Sequence, residues 1–374
     1  MMGMEGHAEA SVELGAITRN IGALRAHVAP AAVMAVVKAN GYGHGAVPAA
    51  QAAVRGGADW LGVVHVAEAL EVRRAGVDVP LLCLMAIGSD DHAAAIAANV
   101  DLAAGSADMV RHLAAAADVA GRPAQVHLKA DTGLSRGGAT QADWPQVLAA
   151  ARAAEADGSI VIAGVWSHFA SADEPGNPSI DAQLSAFKEA LAAAEHAGVT
   201  PHVRHIANTA AALDVPQARY DLVRIGGGCY GIATLPGGAP PWLRPAMTLK
   251  ANLVLVKRVP AGTGVSYGHR YITSRETTLG LVPLGYADGI PRSATGKPLV
   301  SARGRRWPIA GTVCMDQLVV DFGDEPVTEG EEVVLFGPGD EGEATAQEWG
   351  EELGTISYEI VTGISGRVPR SHHE

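Results

Sequence analysis

The apolar positions of the chain fall into two regimes. Through the first two thirds, short apolar runs alternate with Ala-rich stretches whose apolar residues recur three to four apart, the pattern of repeated strand–helix units. Eight runs read as strands, at residues 35–39, 60–64, 80–85, 100–104, 125–130, 161–165, 203–207 and 222–225. Helical patterns lie among them at 45–53, 66–75, 108–117, 144–156 and 180–197. Eight strands, most followed by a helical pattern, over about 230 residues predict an α/β fold with a (β/α)8 TIM-type barrel. An open doubly wound sheet of six or seven strands is the competing arrangement.

The second regime begins after residues 234–245, where T-L-P-G-G-A-P-P-W-L-R-P is too rich in Pro and Gly for a regular element. Beyond it, A-N-L-V-L-V-K-R-V, T-T-L-G-L-V-P-L, W-P-I-A-G-T-V and Q-L-V-V-D-F read as strands, with a helix at 346–353. The expected division is a barrel at 1–240 followed by a smaller, mostly β C-terminal domain at 241–374. No internal repeat or low-complexity tract interrupts either part.

Composition narrows the partners. A net charge of −12 disfavours nucleic acid, whose phosphates need a basic face, so any anionic ligand must be held by a local arrangement. The three cysteines, Cys83, Cys229 and Cys314, sit in or beside apolar runs and cannot all pair, as in a reducing compartment. The opening M-M-G-M-E-G-H-A-E-A lacks the basic-then-apolar order of a signal peptide, and no apolar run is long enough to span a membrane. These features predict a cytoplasmic protein with no membrane partner. The 14 histidines show no metal-ligand spacing.

Lysine is scarce, six of the 28 basic residues, so its placement is informative. Lys38 ends the apolar run A-V-M-A-V-V, and Lys129 lies inside V-H-L-K-A-D. An ammonium at such a position is costly unless it is paired or chemically modified. Lys38 either points into solvent past its strand or is a reactive amine with a lowered pKa, at the strand ends that carry barrel active sites.

A-V-V-K-A-N-G-Y-G-H-G, from Ala35 to Gly45, resembles the cofactor-lysine motif of the alanine racemase family. The resemblance recurs in order along nearly the whole chain. It includes H-L-K-A-D-T-G-L-S-R ending at Arg136, G-V-W-S-H-F-A-S-A-D around His168, H-I-A-N-T-A-A around Asn208 and D-L-V-R-I-G-G-G-C-Y-G around Arg224. It continues with G-V-S-Y-G at Tyr267, G-Y-A-D-G at Tyr286, G-T-V-C-M-D-Q at Met315, and finally Y-E-I and G-R-V-P-R. The fold it implies is a barrel joined to a β domain. The activity it implies is interconversion of L- and D-alanine on pyridoxal 5'-phosphate, supplying D-alanine for peptidoglycan.

The resemblance assigns roles residue by residue. Lys38 would carry the cofactor and act as base on one face of the substrate; Tyr267 would serve the other. A tyrosine with its ordinary pKa of about 10 is a poor base at neutral pH, so His168 is expected to favour its phenolate, with Arg224 beyond. Arg224 would face the pyridine nitrogen and, as a permanent donor, keep it unprotonated. Tyr42, Asn208, Thr209, Gly226, Gly227 and Tyr358 would bind the cofactor, chiefly its phosphate, in a neutral nest of donors. Arg136 would contact the substrate carboxylate. Lys129 matches a lysine that some members carbamylate.

Met315 and Asp316 match substrate-side residues that the family supplies, with Tyr267, from a second subunit, implying a homodimer with shared active sites, and Tyr286 and Tyr358 match tyrosines that line the substrate's entry. Asp173 reads as solvated surface near the site. Without the motifs, His168 reads as readily as a satisfied core histidine, and G-G-G as a turn. Three positions depart from the usual pattern: Thr209 stands for serine, Trp166 for tyrosine and Ser135 for glycine. The competing activities are a serine or broad amino-acid racemase, a decarboxylase of the same fold, and a binding protein built on the barrel alone. The decarboxylases pair the pyridine nitrogen with an acid, which Arg224 opposes, and the single-barrel proteins lack residues 241–374.

Overall fold

The computed structural model describes residues 6–297 and 299–374, so residues 1–5 of the stretch examined for a leader lie outside it. Eight parallel strands form the larger sheet: β2 (Ala32–Val36), β3 (Trp60–Val63), β4 (Leu81–Cys83), β5 (Asp101–Ala104), β6 (Ala124–Lys129), β7 (Ile160–Trp166), β8 (Val203–His205) and β9 (Leu222–Ile225). Their order is β8-β7-β6-β5-β4-β3-β2-β9. The two outer strands meet, with Asp221 N–H donating to the Arg204 carbonyl at 3.2 Å and Arg224 N–H to the Ala207 carbonyl at 3.0 Å. The sheet is therefore the (β/α)8 barrel that the alternation predicts. Strands such as β4 and β5 are buried throughout, as parallel strands covered on both faces must be.

Helices Ala46–Arg55, Val66–Arg74, Ala107–Ala120, Trp144–Ala156 and Pro178–His196 form where the helical patterns fall. Alanine is the best helix former, and its small side chain lets these helices lie close to the sheet. Side-chain caps fix several starts: Ser106 accepts from Met109 N–H and Asn177 from Ser179 N–H.

The β domain contains β10 (Met247–Asn252), β11 (Leu255–Val259), β12 (Gly264–Val265), β13 (Tyr271–Ile272), β14 (Thr277–Val282), β15 (Val300–Ala302), β16 (Arg305–Trp307), β17 (Leu318–Asp321), β18 (Glu332–Phe336) and β19 (Arg370–His373). Its largest sheet has the order β16-β15-β18-β10-β1-β19, where β1 is Ala8–Glu13. The reading of 1–240 as barrel therefore needs one correction, because the first strand belongs to the other domain. It pairs antiparallel with β10 and parallel with β19, and its alternating burial matches one covered face. The chain is thus tied across the domain seam at its start as well as at residues 234–245.

The run W-P-I-A-G-T-V also needs correction. β16 ends at Trp307, Pro308 offers no N–H to a ladder, and Gly311 takes φ 76°, so only an isolated bridge from Ile309 to Val320 remains. Helix Ala346–Leu353 falls at its expected bounds, closed at its start by a reciprocal Thr345–Glu348 capping box.

Candidate active site

β2 ends at Val36, two residues before Lys38, and the backbone then turns the unusual way. Ala39, Asn40, Gly41 and Tyr42 take φ of 52°, 54°, 61° and 53°, a left-handed turn that costs roughly 1–2 kcal/mol at each non-glycine residue. Three anchors hold it. Ala39 N–H donates to the Glu68 carboxylate at 2.7 Å, Ala46 N–H donates to Asn40 Oδ1 at 3.0 Å, and His44 Nδ1–H donates to the Gly41 and Tyr42 carbonyls. Strain held by tertiary contacts at such a place commonly marks function. The Lys38 amine stands 5.9 Å from the centre of the Tyr42 ring. Burial pushes its pKa down, Arg136 and Arg224 push the same way, and only Glu68 opposes them.

Arg224, on β9, is buried, and among the described residues no carboxylate pairs with it. Its Nη2 donates to the Ser167 carbonyl at 2.8 Å, the Ile206 carbonyl at 3.1 Å and His168 Nδ1 at 3.0 Å, while Nη1 donates to His205 Nδ1 at 2.9 Å. Burial lowers its pKa to about 9, which leaves it cationic at neutral pH. Because a guanidinium only donates, His168 must accept through Nδ1 and carry its proton on Nε2. Burial and the cations Arg224, Arg136, Lys129 and Lys38 keep that imidazole neutral.

Lys129 ends β6. Its amine sits 4.5 Å from the centre of the Trp166 ring, and the Arg224 guanidinium lies 4.8 Å from the same ring. Burial, then Arg136 and Arg224, bring the Lys129 pKa down to about 8. Trp166, one of the three departures from the usual pattern, has a physical reason here: indole presents the strongest π-face to a cation, and the Arg224 guanidinium lies against it. Arg136 is exposed on its loop, beside these cations.

Tyr42, Thr209, the glycines and Tyr358 gather on the adjoining side. A Cβ on Gly226 would collide with the Tyr42 hydroxyl, and one on Gly227 with the Tyr358 ring, so glycine is what lets both phenols approach the backbone. Tyr42 and Tyr358 meet edge to face at 5.6 Å, and burial raises both phenol pKa values, Tyr358 to about 12. Thr209 Oγ1 accepts from the N–H of Gly226 at 3.0 Å and of Gly228 at 3.4 Å, which leaves its own proton free to donate. Asn208 has a different occupation, since its Oδ1 accepts from Ala211 N–H at 3.0 Å and caps the short helix Thr209–Asp214. Tyr358 lies on the helix Ser357–Gly363, so the β half of the chain contributes one residue to this gathering.

Tyr267, Tyr286, Met315 and Asp316 form a second patch on the β domain. The loops are zipped together: Thr312 Oγ1 donates to the Tyr267 carbonyl at 3.0 Å, Tyr286 N–H to the Cys314 carbonyl at 3.0 Å, and Ala287 N–H to the Met315 carbonyl at 2.9 Å. Asp316 is paired with Arg367 at 2.8 Å. Tyr267 is 73% exposed, Met315 53% and Tyr286 44%. Among the described residues no hydrogen bond, ion pair or ring contact joins this patch to Lys38, His168 or Arg224.

Several residues of the barrel site were not singled out by sequence. Glu68 is the anion that holds the Lys38 turn, and its motif-free position in Val66–Arg74 gave no signal. His205 opens the H-I-A-N-T-A-A motif, where it reads as a strand residue. His127, bonded to His205, opens the motif that ends at Arg136, whereas Asp101, bonded to His127, carries no local pattern.

A barrel that presents a desolvated lysine and a buried arginine with no carboxylate partner among the described residues, followed by a β domain with an exposed tyrosine patch, has the arrangement of a barrel enzyme with a reactive lysine. Residues 12–234 match the model described as alanine racemase, N-terminal domain, and residues 246–372 match alanine racemase, C-terminal domain. The chain is 56% identical over 367 residues to an alanine racemase of Thermobifida fusca, covering 98% of both chains. It is 56% identical to one of Frankia casuarinae, covering 97% of this chain and 95% of that one. The crystal structure of alanine racemase from D-cycloserine producing Streptomyces lavendulae superposes with a TM-score of 0.97 at 49% identity, covering 99% of this chain and 98% of that one. The chain belongs to the alanine racemase family.

Proposed function

We propose that the chain is a pyridoxal phosphate-dependent alanine racemase, interconverting L- and D-alanine with Lys38 and Tyr267 as its two bases. The observation that carries this reading is the placement of Lys38 just past the end of β2, on a left-handed turn held by Glu68 and 5.9 Å from the centre of the Tyr42 ring; burial, Arg136 and Arg224 lower its pKa and so favour the neutral amine. The residues present suit the cofactor. The phenols, the Thr209 hydroxyl and the glycine backbone make a neutral donor nest fit for a phosphate, and Arg224 is a buried donor with no anionic partner among the described residues. When bound, the cofactor supplies delocalisation for the electron pair left as the α-proton departs.

The chain's own groups do the rest. Lys38 Nζ takes or returns the α-proton on one face. Tyr267 of a second copy does so on the other, which accounts for its exposure in the single chain. His168, neutral with its proton on Nε2, is the donor that holds the deprotonated Tyr267 hydroxyl. Arg136 binds the substrate carboxylate, with Met315, Asp316 and Tyr286 of the second copy shaping the pocket. The proposal thus includes a homodimer, a cytoplasmic setting and D-alanine destined for peptidoglycan.

The crowding around Lys129 supports its carbamylation. The neutral amine attacks carbon dioxide, a C–N bond forms, a proton leaves, and the product is an anion among Arg136 and Arg224. Activity that falls on removing carbon dioxide and returns with bicarbonate, but not in Lys129→Ala, tests this point. The principal test is borohydride reduction of the protein with pyridoxal phosphate, peptide mapping, and chiral assay of alanine. The label should fall on Lys38 and D-alanine should form from L-alanine; a label elsewhere, or no D-alanine, refutes the assignment.

A further inference from the structure

Behind Arg224 a line of buried polar groups crosses the barrel interior. His205, at the end of β8, receives Arg224 Nη1 on its Nδ1 at 2.9 Å, and its Nε2 lies 3.0 Å from His127 Nδ1 on β6. His127 Nε2 lies 3.2 Å from the carboxylate of Asp101, which opens β5. Both imidazoles are fully buried, and Asp101 nearly so. Gly164 of β7 leaves the room they need, because a Cβ there would collide with the His127 ring.

The two ends of this line dictate the protons between them. Arg224 can only donate, so His205 Nδ1 has no hydrogen and its proton is on Nε2. His205 then donates to His127 Nδ1, which places the His127 proton on Nε2, aimed at the Asp101 carboxylate, which only accepts. Reversing the order would set a His205 Nδ1–H against an Arg224 N–H. We propose that Asp101 is a positioning residue of the active site: through His127 and His205 it fixes the lone pair that receives Arg224, and thereby the seat of the guanidinium beside His168. The proposal deepens the racemase reading, since the group it orients is the one expected to face the cofactor.

Neutron diffraction from the deuterated wild-type protein reads the proton order directly and needs no activity. Deuterium on Nε2 of both His127 and His205 supports the proposal; deuterium on Nδ1 of either overturns it, whether or not the chain racemises alanine. Two variants then test the consequence. Asp101→Asn keeps an acceptor oxygen for His127 and should retain kcat close to wild type. Asp101→Leu has none and should lower kcat by about tenfold to a hundredfold, with KM for alanine little changed, the range typical of outer hydrogen-bond partners. Equal loss in both variants would show that the charge of Asp101, not its direction, matters, and would also overturn the proposal. Should Asp101→Leu fail to fold, the neutron map of the wild type decides alone.

Discussion

Arg224 and His168 are joined by one hydrogen bond, 3.0 Å from Nη2 to Nδ1, and that bond decides which nitrogen of His168 is left to act. Arg224→Lys keeps a cation but loses the planar fork that also serves Ser167, Ile206 and His205. Each buried acceptor left unpaired costs about 1–3 kcal/mol. The variant should therefore melt at lower temperature than wild type and lose turnover, with the cofactor still retained by the phenols and Thr209. Melting curves and cofactor absorbance, measured together, check both halves of this expectation.

Tyr267→Phe removes one hydroxyl from an exposed side chain, so folding should be unaffected. Loss of a general base typically costs a factor of about 10²–10⁴. Proton abstraction from one enantiomer of alanine should fall by that factor while exchange at the face served by Lys38 survives. Equal exchange with both enantiomers would rule out the pair of bases. Mixing this variant with Lys38→Ala should restore activity if the site is completed by a second copy, because one composite site regains both groups.

Much of this arrangement is legible in the sequence, and what is not has a physical reason. The barrel strands showed as apolar runs because both their faces are buried. The first strand falls three residues earlier than the 35–39 expected, because the apolar run continues to Val37 whereas the strand stops at Val36, short of the left-handed turn that begins at Ala39. β1 has no local signal of its pairing, because its partners, β10 and β19, both lie in the β domain, far along the chain. Helix Leu14–Val28 did carry a readable signal, with Ile17, Ile21, Leu24 and Val28 on one buried face. The motif residues fall into two groups, one on the barrel around Lys38 and Arg224 and one on the β domain around Tyr267, and Asn208 Oδ1 caps a short helix. Glu68 and Asp101 were invisible because one carboxylate among many has no local pattern; only the fold selects it.

His44 gives a pH signature independent of catalysis. It is buried against Tyr230, with ring centres 4.5 Å apart, and burial lowers its pKa to about 4. Between that value and the ordinary one of about 6.5, the unfolded chain binds the extra proton and the folded one does not. Stability should thus fall as pH drops from about 6.5 to about 4, by about 3 kcal/mol from this group, and no further below. His44→Asn retains a donor near the Nδ1 position and should flatten that part of a stability–pH curve from denaturant titrations.

Gly231 marks the seam between the domains. It takes φ 73°, and a Cβ there would collide with the Arg244 carbonyl. Gly231→Ala should destabilise by about 1–3 kcal/mol from the backbone conformation alone, and more from the collision. A midpoint in denaturant unchanged from wild type would contradict this placement.

The most direct test of the central claim is solvent-deuterium exchange at the α-carbon of L-alanine, using purified protein with pyridoxal phosphate and chiral analysis of the product. The account predicts D-alanine that carries deuterium at the α-carbon, and the same reaction starting from D-alanine. Protein that holds the cofactor on Lys38 yet incorporates no deuterium into either enantiomer would contradict it.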